Sequence, residues 1–285
     1  MSSTPTPSVR FGPAGIPSIT EGGTFEGIKD VAKIGLSAME VEFVRGVRMG
    51  KEQAEKIAEE AKKLDVSLSC HAPYWINCCA KEQSKLDLSV RHLIESARAM
   101  ESLGGGVVVF HPGYYMGRSS EECANLSEET LSRVLEMMKH EKITHVRLGA
   151  ETVGKLSQYG DLFECINLSN HFGQSHLIPV PDFGHLHARG NGCIKNKSDY
   201  EKILDQFDKS LPDYLKHFHS HFSELEYSEK GERNHIPLGS NEPPFSPLAE
   251  LLAERGCSGT VVCESPLLEQ DALKMQAIYS RFLKK

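Results

Sequence analysis

The chain lacks three things: an apolar run approaching the length of a membrane span, a C-x-x-C pair, and a surplus of positive charge. The first absence excludes a helix that crosses a bilayer. The eight cysteines are scattered, with Cys78 and Cys79 adjacent, so free and mostly buried thiols are expected in place of a disulfide framework. The net charge of -7 and a pI near 6.0 argue against general attraction to nucleic acid or to an anionic membrane surface. Bound cations would add positive charge that this count omits. Met1 to Ser8 is rich in Ser, Thr and Pro without a basic-plus-apolar signal pattern, so residues 1–8 are expected to form a flexible tail on a cytoplasmic protein; a monomer is the separate expectation. No long linker or fixed-period repeat interrupts the rest, and 285 residues fit one (β/α)8 barrel of about 250 better than two domains.

What is present is an alternation. Strand-like runs begin near Val9, Ala38, Ser67, Val107, Val146, Leu177, Tyr214 and Thr260, separated by amphipathic stretches, a pattern that predicts a parallel sheet closed into a barrel over residues 9–285. Lys51 to Leu64 carries Ala54, Ile57, Ala58, Ala61 and Leu64 on one stripe, and Ser84 to Leu103 repeats the design with Leu86, Val90, Leu93, Ala97 and Met100. Ser127, with Glu129 and Thr130, is expected to open a further helix. Gly104-Gly105-Gly106 reads as a helix stop before the fourth strand, since a phosphate loop needs its strand before the glycines. Met116 to Leu126, Gly184 to Asn196 and Glu224 to Pro247 read as loops after strands, hence on the carboxyl face, where barrels of this type build their sites.

That face collects metal-ligating side chains. In Ser67-Leu68-Ser69-Cys70-His71 the period-two alternation turns His71 inward and Cys70 outward, and Phe110-His111-Pro112-Gly113 ends the fourth strand at a histidine. Ala150-Glu151 and Cys263-Glu264 end apolar runs in carboxylates, which need a cation or a proton once buried. Asp182 and His185 share a turn and are able to serve different ions, with His187 read as a solvated loop residue. His217, His219 and His221 share strand spacing; His221 reaches the rim and His219 reads as a core histidine. His235 completes the set. Imidazoles mixed with carboxylates suit zinc, manganese or iron, so two or three divalent ions are expected.

The motifs His71-Ala72-Pro73-Tyr74 with Ile76-Asn77, Phe110-His111-Pro112-Gly113, Glu151-Thr152, Asp182-Phe183-Gly184-His185, His221-Phe222-Ser223-Glu224 and Cys263-Glu264 resemble, in order, the endonuclease IV family of apurinic/apyrimidinic endonucleases. The resemblance implies a TIM barrel that uses zinc to hydrolyse the phosphodiester 5′ to an abasic site in double-stranded DNA, in base excision repair. It implies that His71 and His111 hold a first zinc that Glu151 bridges to a second, completed by Asp182, His221 and Glu264, with His185 and His235 on a third. By the same resemblance Glu151 and Glu264 are catalytic, Tyr74 wedges into the abasic gap and Arg45 enters the DNA. Arg48, Lys81, Lys85, Arg118, Arg189 and Lys195 would grip the phosphates. Where the family carries an aspartate two residues before the last histidine, this chain has Arg233; either Glu232 takes its place by a one-residue shift, or Arg233 contacts phosphate as a planar fork. Two rivals remain. One is a sugar isomerase or epimerase holding a single divalent metal on Glu151, Asp182, His221 and Glu264, and the other is a non-catalytic relative that binds damaged DNA.

Overall fold

Val9–Pro13 (β1), Ala38–Glu42 (β2), Ser67–His71 (β3) and Gly106–Phe110 (β4) are the first four barrel strands of a computed structural model that describes residues 9–283. The expected tail, residues 1–8, lies outside the described residues. Two short strands, Gly113–Tyr114 (β5) and Gln158–Tyr159 (β7), pair with each other above the barrel and flank the fifth barrel strand, Val146–Glu151 (β6). Leu177–Val180 (β8) and Phe218–Phe222 (β9) follow, then a hairpin of Glu224–Ser228 (β10) and Gly231–Ile236 (β11), and last the barrel strand Gly259–Cys263 (β12).

The barrel strands are all parallel and run in two arcs, β2-β3-β4-β6-β8 and β1-β12-β9. Each seam between the arcs is closed by a single bridge, Ala14 to Glu40 on one side and Asp182 to His221 on the other. The composition of the edges explains this sparse pairing: β1 ends in Pro13, and β8 contains Pro179 and is followed by Pro181, residues with no N–H to donate. At the first seam Gly12 is required, because a Cβ there would stand 1.7 Å from the carbonyl oxygen of Ala38. Both seams place future site residues on the closing bridge.

Outside the barrel lie Thr24–Lys33 (α1), Lys51–Lys63 (α2), Gln83–Ser102 (α3), Ser120–His140 (α4), Leu162–Phe172 (α5), Phe183–Arg189 (α6), Lys197–Ser210 (α7), Phe245–Glu254 (α8) and Glu269–Leu283 (α9). The stripe read in α2 turns Ala54, Ile57 and Ala61 onto the barrel, and α3 likewise buries Leu86, Val90, Leu93, Ala97 and Met100. All eight cysteines are free thiols, and all but Cys193 are buried. Among the described residues no helix is long and apolar enough to cross a membrane.

Local readings differ from the structure in four places. The helix expected at Ser127 starts seven residues earlier, at Ser120: Ser119 and Glu122 form a reciprocal capping box, which leaves Ser127 buried in mid-helix. Residues 184–196 are not a loop throughout, because Asp182 caps α6 by accepting from the His185 amide. Residues 224–247 hold β10, β11 and the start of α8. The seventh barrel strand begins at Phe218, after a short 3-10 helix over Tyr214–Lys216.

Candidate metal centre

The carboxyl ends of the strands bring Glu151, Asp182, His221 and Glu264 together, with His71, His111 and Glu151 forming a second group and His185, His235 and Glu264 a third. Each group offers ligand atoms within 4.8 Å of one another. Glu151 is fully buried at the centre of the whole. Its Oε2 lies 3.1 Å from His71 Nε2 and 3.0 Å from His111 Nε2, while Oε1 lies 3.2 Å from His185 Nδ1 and 3.3 Å from His221 Nδ1. One carboxylate thus turns its two oxygens to different histidine pairs. That is the disposition a bridging ligand needs.

Backbone carbonyls fix the outer faces of two rings. His71 Nδ1 lies 2.7 Å from the Ala72 carbonyl and His185 Nδ1 lies 2.9 Å from that of Thr152. A carbonyl oxygen only accepts, so these nitrogens carry the protons and leave each Nε2 free to ligate. His235 Nδ1 pairs with Ser223 Oγ at 2.7 Å. The donor set fits a cation for another reason: Glu151 Oε1, Asp182 Oδ2 and both ring nitrogens of His221 are buried and have no hydrogen-bond partner among the described residues. Several sit at contact distance without aligned N–H vectors, as groups do when they share a third partner.

The protonation pattern follows from crowding. Although burial opposes its charge, His71 is raised to about 9 by the hydrogen bond and charge of Glu151. Burial likewise opposes ionisation of Glu151 and Glu264, yet His111 and His221 hold Glu151 well below the carboxylate range, and His221 brings Glu264 down to about 2. Asp182, with less to balance burial, is pushed up to about 7. Burial lowers His235.

Two further acidic residues lie in the site: Glu232, which the sequence left as one of two alternatives, and Glu40, which it did not single out. Glu232 Oε2 stands 3.2 Å from His185 Nε2 and accepts from the Gly154 amide at 3.1 Å, while its Oε1 lies 3.4 Å from Lys155 Nζ. Of the two alternatives at this position, the structure therefore turns Glu232 inward and leaves Arg233 exposed. Glu40, fully buried on β2, lies 3.0 Å from His221 Nε2. Its signal was the alternation Ala38-Met39-Glu40-Val41-Glu42, which sets a carboxylate on the inward phase of a strand.

Other assignments change. His187 is not solvated but 1% exposed on α6, where its Nε2 pairs with Glu242 at 2.7 Å and its Nδ1 accepts from the Ile194 amide. Arg118 and Arg189, read as phosphate grips, each place Nη1 on backbone carbonyls, Arg118 on that of Cys79 and Arg189 on those of Lys155 and Gln158. His219 is the core histidine expected, 3.3 Å from Glu40. Tyr74 is 55% exposed with its ring stacked 5.9 Å from that of His111, and Arg45 is exposed on the turn after β2. Trp75, Met116 and Leu156 on loops and Tyr114 on β5 add exposed apolar surface.

The sequence model of the xylose isomerase-like TIM barrel family matches residues 28–281. An uncharacterised protein of Methanocaldococcus jannaschii is 36% identical over 271 residues, covering 95% of this chain and 96% of that protein. A probable endonuclease 4 of Clostridium beijerinckii is 30% identical over 144 residues, 50% of this chain and 49% of its own length, so that match spans about half of each. Among solved structures, endonuclease IV from Thermus thermophilus superposes with a TM-score of 0.73 at 16% identity, covering 96% of this chain and 99% of that one. A D-tagatose 3-epimerase-like protein does so with a TM-score of 0.69 at 20% identity, covering 95% and 97%. At such identities these two likenesses establish the barrel and leave the chemistry to the site.

Proposed function

Because the chain belongs to the xylose isomerase-like TIM barrel family, we propose that it is a metal-dependent endodeoxyribonuclease hydrolysing the phosphodiester 5′ to abasic sites in duplex DNA. The observation that carries this reading is the convergence of His71, His111, His185, His235 and Glu232 on a mouth that already holds Glu151, Asp182, His221 and Glu264. One divalent ion needs only the last four. Nine ligating side chains around a carboxylate with two-sided contacts suit two or three, and the mixed imidazole and carboxylate donors suit zinc, with manganese or iron as substitutes.

In this reading His71, His111 and Glu151 hold a first ion, Glu151, Asp182, His221 and Glu264 a second, and His185, Glu232 and His235 a third. When bound, such ions polarise phosphoryl oxygens and activate water near neutral pH. The protein's own residues do the rest. Glu151 ties the first two sites together, and Glu264 lies between the second and third groups. The carbonyls of Ala72 and Thr152 keep the ligating nitrogens of His71 and His185 aimed inward. Tyr74, exposed above His111, fills the gap left by the missing base, and Arg45 and the exposed Arg233 contact the backbone. With a net charge of -7, binding rests on such local contacts and on the ions, so it depends on salt.

A second reading has its own observation: Glu151, Asp182, His221 and Glu264 form a complete group by themselves, sufficient for a sugar epimerase with one metal. One experiment separates the two. Purified protein is assayed for metal content, then incubated with a duplex carrying a single abasic site and, separately, with ketohexoses. Two or three equivalents of metal with chelator-sensitive incision 5′ to the lesion support the nuclease. One equivalent with epimerisation and no incision replaces it with the epimerase, and tight binding of the abasic duplex without incision makes the protein a non-catalytic damage binder.

A further inference from the structure

Beneath the ligand layer the barrel holds a second polar layer that the proposed hydrolysis does not use. Glu40 Oε2 accepts a hydrogen bond from Ser69 Oγ at 2.7 Å and faces His219 Nε2 at 3.3 Å, and Oε1 lies 3.0 Å from His221 Nε2. Glu40, Ser69, His219 and His221 are all at most 4% exposed. A carboxylate taken wholly out of water costs several kcal/mol unless its partners offset it, so its position demands an account.

His221 supplies one. Its Nδ1 faces Glu264 Oε1 at 3.2 Å and Glu151 Oε1 at 3.3 Å, on the ligand side, while Nε2 faces Glu40. Oε1 and Nε2 are not aligned as a hydrogen bond, but the carboxylate charge 3.0 Å from Nε2 favours the proton on that nitrogen, which leaves the lone pair on Nδ1, the side of Glu151 and Glu264. Glu40 is itself held from two sides. Ser69 and His219 fix its carboxylate, and the seam fixes its backbone, where the Gly15 amide donates to the Glu40 carbonyl at 3.0 Å.

We infer that Glu40 is a positioning residue that sets the tautomer and ring angle of His221 for the second metal site, an inference that rests on the metal reading above. Glu40, His219 and His221 also lie close enough together to hold an ion themselves. The Ser69 hydroxyl on Oε2 and the engagement of His221 Nδ1 on the other side favour positioning.

The test is titration of the metal-free wild type, Glu40→Gln and Glu40→Ala with cobalt(II), followed by visible absorption, alongside the melting temperature of each metal-free protein. The expected result is one cobalt site weakened about 10–100-fold in Glu40→Ala with a changed visible band, a smaller loss in Glu40→Gln, and the other sites unaltered. Unchanged affinities with a lower melting temperature would reduce Glu40 to a packing residue. Loss of one whole equivalent with the remaining affinities intact would make Glu40 a ligand, overturning the positioning role. If the alanine variant does not fold, the near-isosteric glutamine variant decides by the same criteria. A wild type that takes up no cobalt defeats the metal reading itself, whereas equal binding by wild type and variants defeats only the role given to Glu40.

Discussion

Glu232 Oε2 reaches His185 Nε2 at 3.2 Å because β11 carries one extra residue. Pairing runs Leu225 to His235 and Glu226 to Asn234, then jumps to Tyr227 with Glu232, so Arg233 is the bulged residue. The bulge moves the strand out of phase by one. Glu232 inherits the inward direction shared with His235, and Arg233 is turned to solvent. The expected consequence is that Glu232→Ala loses the third ion first under mild chelation, with affinity there lower by about tenfold or more, while Arg233→Ala keeps its full metal content. Elemental analysis after graded chelation reads this directly, and a metal-depleted Arg233→Ala beside an unaffected Glu232→Ala would reverse the assignment.

Glu151 turns its two oxygens to different histidine pairs. Glu151→Gln offers one oxygen and no charge, so it is expected to lose at least one equivalent of metal and incision below detection, with the circular dichroism of the folded protein retained. Wild-type turnover in this variant at stoichiometric metal would show that no bridge is needed.

Tyr74 is half exposed, its ring stacked over that of His111 and 5.3 Å from that of His71. Stacking on an unpaired gap is worth about 1–3 kcal/mol, so Tyr74→Ala is expected to weaken affinity for abasic duplex by roughly one to two orders of magnitude at unchanged melting temperature. A fall in melting temperature with constant affinity for the lesion would mark it as structural.

The metal-free protein should lose stability as pH rises. His71 is raised to about 9 by Glu151 against the effect of burial, so its stabilisation is complete below its unfolded value near 6.5 and disappears as pH climbs through about 9. Asp182, pushed up to about 7 by burial, adds in the same direction between about pH 4 and 7, because the folded protein favours its protonated form. The melting temperature of chelated protein is therefore expected to fall from about pH 6 to about pH 9, and zinc to flatten the curve by replacing the proton. A chelated protein more stable at the alkaline end would contradict this coupling of histidine and carboxylate.

Gly12 has no room for a methyl group, since its Cβ would meet the Ala38 carbonyl at 1.7 Å. Backbone cannot yield as a side-chain tip does. Gly12→Ala is expected to cost about 3 kcal/mol in urea unfolding by prising open the seam bridged by Ala14 and Glu40; a cost under about 1 kcal/mol would mean the seam is soft.

The alternation of strand and helix was legible because its signal is local: period-two runs ending in His71, His111, Glu151 and Glu264 state both the element and the face. The stripe of α2 was legible for the same reason. Ser127 misled because a serine followed by acidic residues looks the same at a helix start and in mid-helix. Only the earlier partnership of Ser119 with Glu122 decides between them. His187 misled because its burial depends on Glu242, 55 residues away.

Sequence alone determined the barrel, the inward face of its strands and most of the imidazole and carboxylate side chains gathered at its mouth, since strand phase is a property of neighbouring residues. Tertiary structure decided the rest. Whether Glu232 or Arg233 faces His185 depends on a bulge set by pairing with β10 and by docking on Gly154 and Lys155, and whether Glu40 meets His221 depends on side chains from β2 and β9 converging inside the closed barrel. Such contacts join residues far apart in the chain, and no local propensity carries information about a partner that arrives only when the barrel closes.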